Sequence, residues 1–138
     1  MLRVDSLQNM INVFIGYDSR EAVAFSVLAH SIEERASEPV SITPLRLAQL
    51  KKVLTRERHP LQSTDFSFSR FLVPYLSGYS GWSAFMDCDM LMREDIADLW
   101  RLRAERYAVM VVKHDHVDRK STRLNSSHIQ KSRMPSSA

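Results

Sequence analysis

Apolar positions along the chain form short runs and helical stripes in alternation, separated by polar, Gly and Pro residues. Residues 11–15 (INVFI) are a β-rich apolar run that stops at Gly16, as a buried parallel strand would. Asp18 and Glu21 then have the spacing of a helix capping pair, with Asp18 as N-cap and Glu21 three positions on. Over residues 22–36, Ala24, Leu28 and Ile32 recur at helical spacing with Val23 and Val27 alongside, and Pro39 prevents continuation. Residues 40–45 read as a second strand, in which Pro44 is tolerable only near the end. Residues 47–53 suit a short helix, and 55–64 a polar loop. Residues 65–76 carry two patterns: FSFS alternates like a strand, while Phe68, Phe71, Leu72 and Tyr75 recur like a helix. The helix is preferred, starting at Thr64 or Asp65, bent by Pro74 and ending near Gly78. Residues 82–86 predict a third strand running directly into Asp87-Cys88-Asp89. Ile96, Leu99 and Trp100 mark a short helix, and 107–112 a fourth strand ending in Lys113-His114-Asp115-His116.

Strands alternating with helices predict an α/β domain with a mainly parallel sheet and helices on both faces. No repeat or linker divides residues 11–117, and 138 residues leave room for one domain with a real core. With 44% apolar and 25% charged residues, the chain falls among ordinary soluble globular proteins. There is no 18-residue apolar run, so no membrane span is expected. Residues 1–10 lack the apolar stretch of a secretory signal and read as a short lead-in or an upstream mis-start. A lone Cys88 excludes an internal disulfide and fits a reducing compartment, so the expected location is cytoplasmic.

The net charge of +3 invites a nucleic-acid reading that its distribution removes. Residues 1–117 hold 14 Lys+Arg against 15 Asp+Glu, and the excess of basic residues lies wholly in 118–138. That tail, DRKSTRLNSSHIQKSRMPSSA, has no apolar periodicity and the composition of a disordered segment. It also resembles one reading frame of the indexed adapter oligonucleotide used in short-read sequencing, which implies a non-native tail and a native chain continuing past Val117. The alternative is a natural basic tail that binds an anionic surface.

Ligands of open α/β sheets bind beyond the carboxyl ends of the strands, and two features sit at such ends: Gly16-Tyr17-Asp18 and Asp87-Cys88-Asp89. In an extended segment residues i and i+2 point the same way, so Asp87 and Asp89 would present two carboxylates on one side. Like charges so placed are unfavourable unless one protonates or a cation sits between them, and hard oxygen ligands without Cys or His at ligand spacing favour Mg²⁺ or Mn²⁺. An acidic pair alone is weak evidence, since such pairs at strand ends are often only solvated. Here an apolar strand precedes it and a short amphipathic helix follows. The offsets of an EF-hand are absent.

The stretch SRFLVPYLSGYSGWSAFMDCDMLMREDIADLW resembles the central signature of glycosyltransferase family 8, and INVFIGYDSREAVAFSVLAHSI is similar to that family's opening strand, loop and helix. The resemblance spans roughly residues 11–116 and implies the Rossmann-like GT-A fold, here incomplete. It implies a metal-dependent, configuration-retaining transfer of a sugar from a nucleotide-diphospho-sugar, a UDP-sugar in particular, to a glycan or other acceptor. By the same resemblance Asp87 and Asp89 would hold Mn²⁺ or Mg²⁺, with Asp89 the direct chelator and Asp87 also near the ribose. Arg70 would face the diphosphate or the sugar, and Gly16, Tyr17 and Asp18 would line the nucleotide pocket. The family completes its metal site with a His far downstream; His114 and His116 do not match that motif, so an inactive fragment is expected.

Plainer readings stand beside these. Asp18 is explained as a helix cap, Arg70 as a helix side chain reaching solvent, and Tyr17 as packing over the sheet edge. His114, Asp115 and His116 read as a polar strand end rather than a metal cluster, Cys88 as a small buried hydrophobe, and Trp82 and Trp100 as core. Rival functions are a haloacid-dehalogenase-like Mg²⁺ phosphohydrolase, whose acidic pair usually lies on the first strand, and a non-catalytic nucleotide-binding module.

Overall fold

Strand β1 (Ile11–Tyr17) is the centre of a three-stranded parallel sheet of order β2-β1-β3, with β2 at Val40–Arg46 and β3 at Ala84–Met86. The computed structural model describes residues 10–56 and 63–113. Register pairs Ile11 with Val40 and Tyr17 with Arg46 on one side of β1, and Val13 with Ala84 and Ile15 with Met86 on the other. Pro44 is accommodated because β2 is an edge strand, where a missing N–H leaves no ladder bond unmade.

Alternation along β1 sends its side chains into two cores. Ile11, Val13 and Ile15 pack with Leu28 and Ile32 of α1 (Ala22–Glu33), Ile96 and Ala97 of α3 (Ile96–Arg101), and Met86. Phe14 faces the other way, against Leu45 and Val73 of α2 (Val73–Leu76). Helices therefore cover both faces, as the alternating pattern predicts. Each fully buried aliphatic side chain contributes roughly 1.5–3 kcal/mol by leaving water, so the odd-numbered face of β1 dominates the stability of this unit. Helix α1 ends three residues earlier than its periodicity suggests, and its buried face is Leu28, Ser31 and Ile32. Val23 and Val27 are exposed rather than core, because Leu28 and Ile32, four residues apart, set the line that meets the sheet.

Three further expectations change. Residues 47–53 form only a 3₁₀ turn, Leu47–Gln49, followed by a non-helical turn. The helix expected from Thr64 is a turn, then a 3₁₀ segment Ser69–Leu72, then α2. Pro74 occupies the first turn of α2 instead of bending a longer helix, since a residue without N–H is harmless there. The chain leaves α2 through Gly78, whose φ of +63° closes the turn with Tyr79 N–H donating to Pro74 O at 2.8 Å. Third, residues 107–112 form no strand: they lack ladder partners, and Tyr107, Val109, Met110, Val111 and Val112 are exposed. An apolar run becomes a parallel strand only when a neighbouring strand supplies its hydrogen bonds and both faces are covered.

The chain divides into two compact units, Met1–Ala108 and Val109–Ala138. Of the second, residues 109–113 are described and carry no regular structure. The lead-in 1–9, most of the 55–64 loop, His114, Asp115, His116 and the tail 118–138 lie outside the described residues. Among the described residues, no helix is long and apolar enough to cross a membrane.

Candidate functional site

The carboxyl ends of β1, β2 and β3 bring Gly16, Tyr17, Asp18, Arg46 and the acidic turn to one edge of the sheet. Gly16 is small for a packing reason: a Cβ there would lie 2.4 Å from Phe66 Cδ2. The Phe66 ring fills the space where a side chain would be. Tyr17 packs edge-on against Phe25, with ring centroids 5.4 Å apart, and the Arg46 guanidinium lies 4.0 Å over its ring. Arg46 was not legible as a site residue, because its approach to Tyr17 depends on the strand register rather than on any local spacing.

Asp18 is buried and its carboxylate is saturated by the protein itself. Oδ1 accepts from Arg20 N–H and Arg20 Nε, each at 3.0 Å, while Oδ2 accepts from Arg20 Nη2 at 2.6 Å and Asp65 N–H at 3.2 Å. These bonds, Arg20 foremost, hold the Asp18 carboxyl well below the usual carboxylate range. Arg20 Nη2 also donates to Ser63 O at 3.0 Å, so Asp18 and Arg20 together tie the end of β1 to the 63–65 segment. This is the capping role extended into a tertiary clamp, and it leaves no lone pair free for a ligand.

The expected capping box is incomplete. Asp18 caps the 3₁₀ turn Ser19–Glu21, but Glu21 instead accepts a hydrogen bond from the Cys88 thiol at 3.2 Å. Cys88 is buried, and burial followed by the Glu21 charge pushes its thiol up to about 12. Cys88 is therefore an inert, protonated donor at neutral pH, in keeping with its reading as a small buried hydrophobe. Nothing local announces Glu21 as its partner across 67 residues.

The acidic pair does not continue β3. The strand stops at Met86, and Cys88 and Asp89 form a turn. Same-side presentation by strand alternation accordingly does not hold; Asp87 is half-buried and Asp89 exposed. Ser31 Oγ accepts from Met92 N–H at 3.0 Å and donates to Leu28 O at 2.8 Å, pinning the chain after the turn to α1. Asp95 caps α3 through Ala97 N–H at 2.9 Å and also accepts from Ser37 N–H.

Arg70 meets Asp87, with Nη2 3.2 Å from Oδ1. Its guanidinium lies over the Phe66 and Phe85 rings at 5.5 and 5.1 Å. Among the described residues Asp87 Oδ1, Arg70 Nε and Ser69 Oγ are buried without a hydrogen-bond partner, so the two charges touch off the hydrogen-bonding geometry. Burial pushes the Asp87 carboxyl up, Arg70 opposes this, and Asp89 and Glu21 add to it. Arg70 thus does not snorkel freely: its one-third-exposed side chain is held against Asp87 and the two rings. Among the described residues no group of three His, Cys, Asp or Glu side chains is arranged to hold a metal ion. Two carboxylates with an orphaned oxygen still suit a Mg²⁺-class ion, which takes few protein ligands and completes its shell with water and phosphate oxygens. They do not suit a closed structural site. A shallow open groove on α1, lined by Ala22, Val23, Ser26, Val27 and His30, contains none of these residues.

No family model and no solved structure matches the chain. The chain is similar to Protein CDI of Arabidopsis thaliana, 47% identical over 117 residues that make up 83% of this chain and 45% of that protein. The chain spans less than half the length of the curated relative it matches. That relative is named Protein CDI and not as a glycosyltransferase, and this finding overturns the expected sugar transfer from a nucleotide-diphospho-sugar. The description as a family 8, manganese-dependent transferase is corrected with it. The fold stands as a small α/β unit with a parallel sheet, without assignment to the GT-A class. The phosphohydrolase alternative gains nothing from the geometry, because the acidic turn follows β3 and not β1.

Proposed function

We propose that the turn at Asp87–Asp89, with Arg70, is a binding site for a phosphate-bearing small molecule carried by a Mg²⁺-class cation. The observation that supports this reading is the contact between Arg70 and Asp87, in which the buried atoms Asp87 Oδ1 and Arg70 Nε have no hydrogen-bond partner among the described residues. Buried polar groups are almost always paired, and each orphan costs about 1–3 kcal/mol. A cation on Asp87 and Asp89 together with a phosphate on Arg70 would satisfy both. A guanidinium suits phosphate oxygens because it donates through a planar fork. The site's position beyond the carboxyl ends of parallel strands is the usual location for such ligands. Gly16, Tyr17 and Asp18 enter this reading as the scaffold that seats Phe66 beneath Arg70, not as ligand contacts.

The test is Mn²⁺ binding, with Mn²⁺ as a paramagnetic stand-in for Mg²⁺, followed by electron paramagnetic resonance in wild-type protein and in Asp89→Asn. The reading predicts one bound ion in the wild type and a loss of affinity of roughly tenfold or more in Asp89→Asn, with an unchanged far-ultraviolet circular dichroism spectrum. Equal affinity in the two proteins would remove Asp89 from the site.

A further inference from the structure

Residues 46–56 carry Arg46, Lys51, Lys52 and Arg56 and no carboxylate, whereas the remainder of residues 1–117 holds 10 Lys+Arg against 15 Asp+Glu. All four cations are exposed. The chain leaves β2 at Arg46 and folds into a closed turn, in which the N–H groups of Val53 and Leu54 donate to Leu50 O at 2.9 and 2.7 Å. Lys51, Lys52 and Val53 stand at the apex of that turn, and Val53 is 41% exposed. Leu50 anchors the base of the turn against the core of Phe14, Leu45 and Val73. On the flanks, the Arg46 guanidinium lies 4.0 Å over the Tyr17 ring and that of Arg56 lies 4.0 Å over the Phe68 ring. Stacking holds a guanidinium by its face and leaves its N–H groups available to an oxygen acceptor. Among the described residues neither lysine forms an ion pair. The result is an anchored basic projection with an apolar tip, on a unit that is otherwise acidic.

We infer that this projection docks the protein onto an anionic lipid surface, with Arg46, Lys51, Lys52 and Arg56 facing the headgroup oxygens and Val53 entering the interface. The surface is separate from the acidic turn after β3 and does not depend on a ligand there. Three features select a bilayer from other polyanions. A projecting turn meets a flat surface with all its cations at once, whereas a peptide or a small anion is gripped in a groove, and the groove on α1 contains none of these residues. Single-stranded nucleic acid stacks its bases on free aromatic rings, and the two rings here, Tyr17 and Phe68, each already carry an arginine. A soluble anionic polymer gains nothing from Val53, while a membrane interface takes up an apolar side chain together with the cations around it. Charges more than about 8 Å from the headgroups are screened at physiological salt, so the acidic groups on other sides of the unit do not oppose docking. Each Lys or Arg near such a surface strengthens binding roughly fivefold.

The experiment measures co-sedimentation of the full chain with phosphatidylcholine vesicles, pure or containing about 30 mol% phosphatidylserine. Because residues 118–138 are also basic, the decisive comparison is among variants that share that tail. Lys51→Gln combined with Lys52→Gln should weaken binding to the anionic vesicles roughly twenty-fold, with an unchanged circular dichroism spectrum. Arg93→Gln combined with Arg103→Gln removes the same charge from exposed positions elsewhere and should change binding by less than about twofold. Lys51→Arg combined with Lys52→Arg should keep wild-type binding. Val53→Ser, which leaves the charge untouched, should weaken it roughly threefold. Equal losses in the two glutamine double variants mean that net charge or the tail alone binds, and overturn the inference. Undiminished binding after the Lys51 and Lys52 change overturns it too, as does wild-type binding that is absent or equally tight on uncharged vesicles. Should that double variant not fold, Val53→Ser decides, since binding at wild-type strength removes the apolar tip from the contact and overturns the bilayer. Poly-glutamate and a DNA duplex test the other partners: tighter binding to either than to the anionic vesicles replaces the lipid surface with a macromolecule.

Discussion

Replacing Gly16 with alanine places a methyl group where the Phe66 ring already sits. The new Cβ would stand 2.4 Å from Cδ2, 2.5 Å from Cγ and 2.8 Å from Cε2. Carbon atoms pack at about 3.5–4.0 Å, so the overlap is on the order of 1 Å. The ring has little freedom to retreat: Phe66 is buried, the preceding residue's N–H is bonded to Asp18, and Arg70 lies over its face. Forcing a methyl into a packed core costs about 1–3 kcal/mol. Against this, alanine reduces the entropy of the unfolded chain and returns about 0.4–1 kcal/mol. The steric cost wins, for a net loss of about 1–2 kcal/mol. Urea unfolding should show a lower midpoint with an unchanged m-value. In a Phe66→Leu background the same substitution should cost less, because the two sites share one space. A neutral or stabilising Gly16→Ala in the wild-type background would refute the seating of Phe66 against β1.

Two further outcomes follow from the charges around β1 and β3. Asp18 has its carboxyl depressed below the ordinary 3.8, so its stabilising contribution is complete above that value and is lost as pH falls below it toward the folded-state value. Asp18→Asn should lower stability at neutral pH and flatten the acid limb of the unfolding free energy below about pH 4; parallel acid limbs in the two proteins would contradict this. Cys88, with its thiol pushed up to about 12 and its side chain buried, should react with a disulfide reagent at pH 8 roughly a hundredfold or more slowly than in the denatured chain. Comparable rates in folded and denatured protein would place the thiol at the surface.

Much of the framework was legible because it rests on local pattern. The apolar run of β1, the Leu28–Ile32 spacing of α1 and the Ile96, Leu99 and Trp100 stripe of α3 each carry their own signal. Residues 107–112 show the limit of that signal: an apolar β-rich run is a strand only with a partner edge, and the run cannot report whether one is there. Residues 64–78 have the pattern of one helix but form a turn, a 3₁₀ segment and α2, because periodicity says nothing about where Pro74 must sit relative to a helix start. At the site, residue types were visible but their pairing was not. Asp18 fits a cap and a ligand equally in the sequence, and only the fold shows that Arg20 and Asp65 fill its oxygens. Arg70 with Asp87, and Glu21 with Cys88, are contacts made by topology across intervening elements. A local spacing did exist for one missed partner, since Arg20 follows Asp18 by two residues and could have been read as its counter-charge.

The most direct test of the proposed site is a crystal of the protein soaked with Mn²⁺ and pyrophosphate, with diffraction recorded at the manganese absorption edge. The account predicts an anomalous peak at about 2.1 Å from carboxylate oxygens of Asp87 and Asp89, with a phosphate oxygen in its shell and the Arg70 guanidinium turned onto the phosphate. A peak elsewhere, or none while the Arg70–Asp87 contact stays closed, would contradict it.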